Sequence, residues 1–107
     1  MENHQIWNLV QSAYNLVDFK NQFYDNNINI ESNDNWYRVD TIDGWNSISV
    51  TVEKNYSIVN SESTYSLKIL QNGHQIRQTQ KELMDKIIEE HILPKLRNIR
   101  LKHFISE

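Results

Sequence analysis

Four histidines, nine serines and a short run of aspartates ahead of a glycine are the side chains here that could do chemistry. A helical pair of metal-binding histidines needs i, i+4 spacing, and His4, His74, His91 and His103 offer none. His91 follows Glu89 and Glu90, so it reads as a boundary residue beside solvated carboxylates rather than a ligand or general base. A serine nucleophile needs an exposed elbow, a histidine base and an oxyanion hole, and no elbow motif places any serine. Asp40 and Asp43, with Asp34 nearby, have the residue types for paired-carboxylate acid–base work. A turn accounts for Asp43 and an outward strand position for Asp40, and no apolar environment around them would raise a pKa. The two glycines, Gly44 and Gly73, are too few for a phosphate-cradling loop or a dinucleotide fingerprint. The absence of cysteine excludes disulfides, thiolate metal sites and a cysteine nucleophile. The expectation is a non-enzymatic chain without metal or cofactor.

Two groups of residues remain as binding surfaces. One is a strand face carrying Trp36, Arg38, Asp40, Ile42 and Trp45, with Ser49, Thr51, Lys68, Leu70 and Arg77 alongside. Aromatic anchors and arginine inside a polar rim are what protein interfaces use. The competing reading is that loops at 25–35 and 55–63 cover part of this face. The other group is the C-terminal run Lys95, Arg97, Arg100, Lys102 and His103, with no acid between Ile92 and Ser106. Residues 1–75 hold four Lys or Arg against nine Asp or Glu, so the chain is acidic in its body and basic at its tail. A basic helix could meet phosphates. The blander readings are cations complementing a helix C-terminus, or a solvated face. A net charge of -3 and a pI of about 5.8 weigh against nucleic acid.

The elements that must position these residues can be read from periodicity. Ile6, Leu9, Val10, Ala13, Leu16, Val17, Phe23 and Tyr24 form one helical face, with Asn3 as N-cap. The helix should fade near Asp25-Asn26-Asn27, and residues 25–35 read as a loop rich in Asn, Asp and Ser. Asp43-Gly44 between two alternating runs predicts a two-residue hairpin, with Ile42 facing Trp45, Val39 facing Ile48 and Tyr37 facing Val50. The second strand continues towards Tyr56 and Ile58, and a turn near residues 60–63 leads to a third strand over 64–71. Asn72-Gly73 predicts a second hairpin, pairing Ile69 with Ile76 on a short fourth strand over 74–78. Thr79-Gln80-Lys81-Glu82 fits a capping box for a helix carrying Leu83, Met84, Ile87, Ile88 and Ile92. Pro94 predicts a kink or break, with Leu96, Ile99 and Phe104 continuing the apolar stripe beyond it.

A single domain over 1–107 follows from the length. The expected fold is α+β: two layers, with an antiparallel three- to four-stranded meander sheet flanked by an N-terminal and a C-terminal helix on one face. Helix, three strands, helix is similar to the order of double-stranded-RNA-binding domains. Where they carry a Lys-rich signature at the start of the second helix, this chain reads Thr79-Gln80-Lys81-Glu82-Leu83, with a single lysine, so the likeness is one of topology. In size and in its acidic body the chain also resembles small α/β anti-CRISPR proteins of phages.

The N-terminal stretch lacks the basic region of a signal peptide, and nothing approaches the ~20 apolar residues of a membrane span. With no cysteine, a reducing, cytoplasmic compartment is expected. Abundant Asn and Ile are typical of AT-rich coding sequence, as in low-GC bacteria, their phages and plasmids. The reading this supports is a small accessory protein that binds and inhibits a host, defence or rival protein, of the anti-CRISPR or other anti-defence type. Its contact residues would be Trp36, Arg38, Asp40, Trp45 and Lys68. The alternatives are a nucleic-acid module using Lys95, Arg97, Arg100 and Lys102, or a toxin-immunity protein. An unpaired sheet edge, on the first or the last strand, would offer a homodimer contact.

Overall fold

A computed structural model of the chain describes residues 1–16 and 27–106, with side chains up to residue 101. The order is α1 (Asn3–Leu16), β1 (Ile28–Ser32), β2 (Trp36–Asp43), β3 (Asn46–Ser57), β4 (Glu62–Gln71), β5 (His74–Gln75) and α2 (Lys81–Ile87). A π-helical turn over Ile88–Ile92 then runs directly into α3 (Leu93–Ser106). The strands form one antiparallel sheet in the order β1-β2-β3-β4-β5, a meander in which every strand pairs with its sequence neighbours. The α+β class and the flanking helices are as the sequence predicts, with five strands in place of three or four.

The additional strand is β1, inside the segment read as a loop. Its turn-forming Asn and Ser residues obscure a two-residue period: Ile28 and Ile30 point inward and are buried, opposite Thr41 and Val39. The β2–β3 hairpin is present, but its turn is one residue later than expected. Asp43 pairs with Asn46, so Gly44 and Trp45 are the central residues. Gly44 has φ +58 and Trp45 has no positive φ, as in a II′ turn, which takes glycine first. The slip moves each pairing by two residues: Val39 faces Val50, Tyr37 faces Val52 and Ile42 faces Ser47. Because the slip is even, the buried face is unchanged. At the β4–β5 turn both Asn72 (φ +52) and Gly73 (φ +82) are left-handed, as a I′ turn requires, and the Ile76 N–H donates to the Ile69 carbonyl at 2.9 Å. β5 itself is only two residues long.

Both helical layers pack on the same face of the sheet. Ile6, Trp7, Val10 and Ala13 of α1 meet Tyr37, Val39, Val50, Val52, Leu67 and Ile69. Met84, Ile87, Ile88, Ile92, Leu96 and Ile99 complete the core, and α1 packs against α3. Trp7 and Tyr37 meet edge to face with centroids 4.8 Å apart, and Tyr14 meets Tyr37 at 5.6 Å. Val17, Phe23 and Tyr24 lie outside the described residues.

Two helix caps differ from expectation. The carbonyl of Glu2, not Asn3, accepts the first helical N–H groups, from Gln5 and Ile6, and Gln5 Oε1 accepts the Glu2 N–H at 2.8 Å. The Asn3 side chain instead donates to the Tyr65 carbonyl on β4. At α2 the capping box does not form: Gln80 is the N-cap, without a side-chain cap bond. At Pro94 the helix neither breaks nor restarts. The wider π turn just before it accommodates a residue that has no N–H and crowds the carbonyl four positions back.

Candidate functional site

With both helical layers on one side, no described element packs on the other face of the sheet. Of the two segments that could cover it, residues 28–32 add a strand to the edge and residues 55–57 extend β3. In β2 the outward positions are Trp36, Arg38, Asp40 and Ile42. Arg38 is the hub: its guanidinium pairs with Glu31 of β1 and, through Nε, with Asp40 at 3.1 Å, and lies 5.9 Å from the Trp36 ring centroid. Held from two sides by carboxylates, the guanidinium sits in place over the indole. Lys68 is exposed on β4 in the same row, since Arg38 faces Thr51 and Thr51 faces Lys68.

Trp45 does not sit in that row. It occupies the second central position of the β2–β3 turn and is 99% exposed, beside Ile42 at 56%. Four of the five expected contact residues thus share the face and the fifth stands at its rim. Leu70 borders the same surface on β4, half-buried, and Arg77 lies beyond β5, outside the sheet. At the opposite end of the sheet the β3–β4 hairpin runs past the end of β2, and its tip exposes Tyr56, Ile58 and Val59.

The basic C-terminal run is divided. Lys95 turns inward: its Nζ is 2.9 Å from Asp43 Oδ1 and also meets the Thr41 hydroxyl. Arg97 and Arg100 are exposed, and the Lys102 side chain is outside those described.

Sequence reading missed the group that Lys95 joins. Asp43 Oδ2 is 3.0 Å from His91 Nδ1, so one carboxylate at the end of β2 holds the π turn through His91 and α3 through Lys95. The Lys95 ammonium, then His91, hold the Asp43 carboxyl below its ordinary value of 3.8, against a smaller desolvation effect. An ionised carboxylate can only accept, so the His91 Nδ1–H donates. The buried Thr41 hydroxyl is satisfied by the lysine. No spacing rule could have found this group, because its members lie about half a chain apart. The arrangement is a clasp: one carboxylate oxygen is engaged by the imidazole and the other by the lysine ammonium.

A polar cleft of about 450 Å³ lies between the start of α1, β4 and α2, lined by His4, Tyr65, Gln78, Lys81 and Asp85 among others. Among the described residues, no group of three or more His, Asp or Glu could hold a metal ion, and no helix is long and apolar enough to cross a membrane. No protein-family model, curated protein or solved structure matches the chain.

Proposed function

We propose that this chain is a non-enzymatic protein-binding domain whose contact surface is the outer sheet face with Trp36, Arg38, Asp40 and Lys68, rimmed by Ile42 and Trp45. The observation that carries the reading is a half-buried tryptophan on the sheet face that no described helix covers, with a fully solvated one in the turn at its rim. Burying such rings on a partner is a large gain at small entropic cost, and tryptophan and arginine are the residue types that dominate binding energy. The acidic body supports a partner with a basic cleft, for which the finer proposal is an inhibitor of a host or defence protein. Nucleic-acid binding through α3 is the weaker reading, because Lys95 is consumed by Asp43.

The test is capture from host lysate with and without nuclease, repeated with Trp36→Ala plus Trp45→Ser and with Arg97→Gln plus Arg100→Gln. A stoichiometric protein lost only with the tryptophan pair supports the reading. Recovery of nucleic acid alone, lost with the arginine pair and in moderate salt, overturns it.

A further inference from the structure

The two edges of the sheet are treated differently. On the β4 edge three outward carbonyls have partners: Tyr65 accepts from the Asn3 side chain, Leu67 from the Gln78 side chain at 2.6 Å, and Ile69 from Ile76. Asn3, Gln78 and Ile76 thereby occupy the middle and one end of that edge. On the β1 edge no described group does the same. The bonds of Asn27 with Ile42 and of Asn33 with Trp36 set the phase: odd residues of β1 bond to β2, and even residues turn away from it. The N–H and C=O groups of Ile28, Ile30 and Ser32 therefore point outward. β1 also carries no proline, lysine or bulge, the usual devices that protect an edge.

We propose that β1 pairs antiparallel with β1 of a second copy of this chain about a two-fold axis at Ile30, joining two sheets into one of twice the width. The occupant follows from the strand's own symmetry. With Ile30 opposite Ile30, Ile28 of one copy exchanges both bonds with Ser32 of the other, so every outward group of this five-residue strand finds its counterpart with no overhang. On the outer face the same register sets Asn29 opposite Glu31, an amide donor against a carboxylate, instead of two like charges. Within each copy Asn29 Nδ2 already lies 3.4 Å from Glu31 Oε1, a weak bond that can pass to the other copy's Glu31. Ile28 and Ile30 stay in their own core, so main-chain bonds carry the contact. A patch this small buries less than the about 1,000 Å² of a stable interface, so association is concentration-dependent. The proposal is independent of which partner the outer face binds.

Sedimentation of the full chain up to about 1 mM, with residue-resolved amide exchange, tests it. The expected result is a mass rising from 12.8 kDa towards twice that value. Amides of Ile28, Ile30 and Ser32 should become protected as it rises, while those of Asn29 and Glu31 are protected throughout. Ser32→Pro removes an outward N–H and no bond to β2, so it should leave the fold's circular dichroism intact and abolish the dimer. Asn29→Glu, which sets like charges across the axis, should weaken the dimer without touching any backbone group. A monomer at every concentration, or a dimer in which the even amides of β1 stay fast, overturns the proposal. So does protection of those amides only when a different protein is added.

Discussion

Asp43 does three things at once: it ends β2, opens a tight turn and anchors the helical layer through His91 and Lys95. It is partly solvated, so screening keeps each contact modest. Asp43→Ala should cost about 1–2 kcal/mol in urea melts near neutral pH. The pH dependence has a definite sign. The folded carboxyl is held below its ordinary value, so its contribution is complete above that value and fades as pH falls through the lower folded one. Wild type and Asp43→Ala should therefore converge in acid, and a gap that persists there would argue against an ionised clasp. Lys95→Met should cost more than removing a solvated lysine, about 1–3 kcal/mol, because the buried Thr41 hydroxyl loses its partner as well. None of this was legible in the sequence. Asp43 looked complete as a turn residue, His91 was assigned to solvent by its neighbours Glu89 and Glu90, and Lys95 was counted with a basic run.

Among the elements, the hairpins were the most legible: at β2–β3 a dipeptide and a hydrophobic period agreed, and at β4–β5 the dipeptide carried the signal into a mostly polar strand. The β4–β5 turn followed its Asn-Gly signal directly. The β2–β3 turn slipped because Asp-Gly can be cut in two ways, and keeping Asp43 in the strand directs its carboxylate to His91 and Lys95. Asn72 offers a measurement at this scale. It supplies a left-handed residue to the turn, its Oδ1 accepts the Ser47 N–H at 2.8 Å, and its own N–H donates to the Ser47 carbonyl at 2.7 Å. Asn72→Gly keeps the conformation and loses the side-chain bond, whereas Asn72→Ala loses the bond and strains the backbone. Thermal melts should rank wild type, glycine and alanine in that order, with alanine lower by about 1–3 kcal/mol. β1 escaped detection because strand residues as few as Ile28 and Ile30, flanked by Asn, Asp and Ser, are outweighed by turn chemistry until a neighbouring strand pairs with them. At Pro94 the expected kink or break takes the form of a π turn inside a continuous helix, which no residue pattern distinguishes from a plain break.

For the molecule as a whole, stability and binding should separate by face. Ile69 is fully buried between sheet and helices, and Ile69→Ala should cost about 2–5 kcal/mol, a large part of a small domain's total. Trp36→Ala with Trp45→Ser, on the other face, should shift stability by less than about 1 kcal/mol while removing partner capture. If the tryptophan pair proves as costly as Ile69→Ala, the outer face is part of the core and not a contact surface.

The strictly sequential strand order has a consequence for how the chain comes together. Each hairpin can close on its own, over a short loop, before the next is needed, and so the sheet can assemble from local steps. The contact between α1 and α3 is different, since it joins segments from the two ends of the chain. Docking of the terminal helices is the step with the longest loop to close, and it also seals Ile6, Val10, Leu96 and Ile99 from water. Refolding should therefore show hairpin pairing ahead of the burial of Trp7, with an early species that has its strands zipped and its helical lid still ajar.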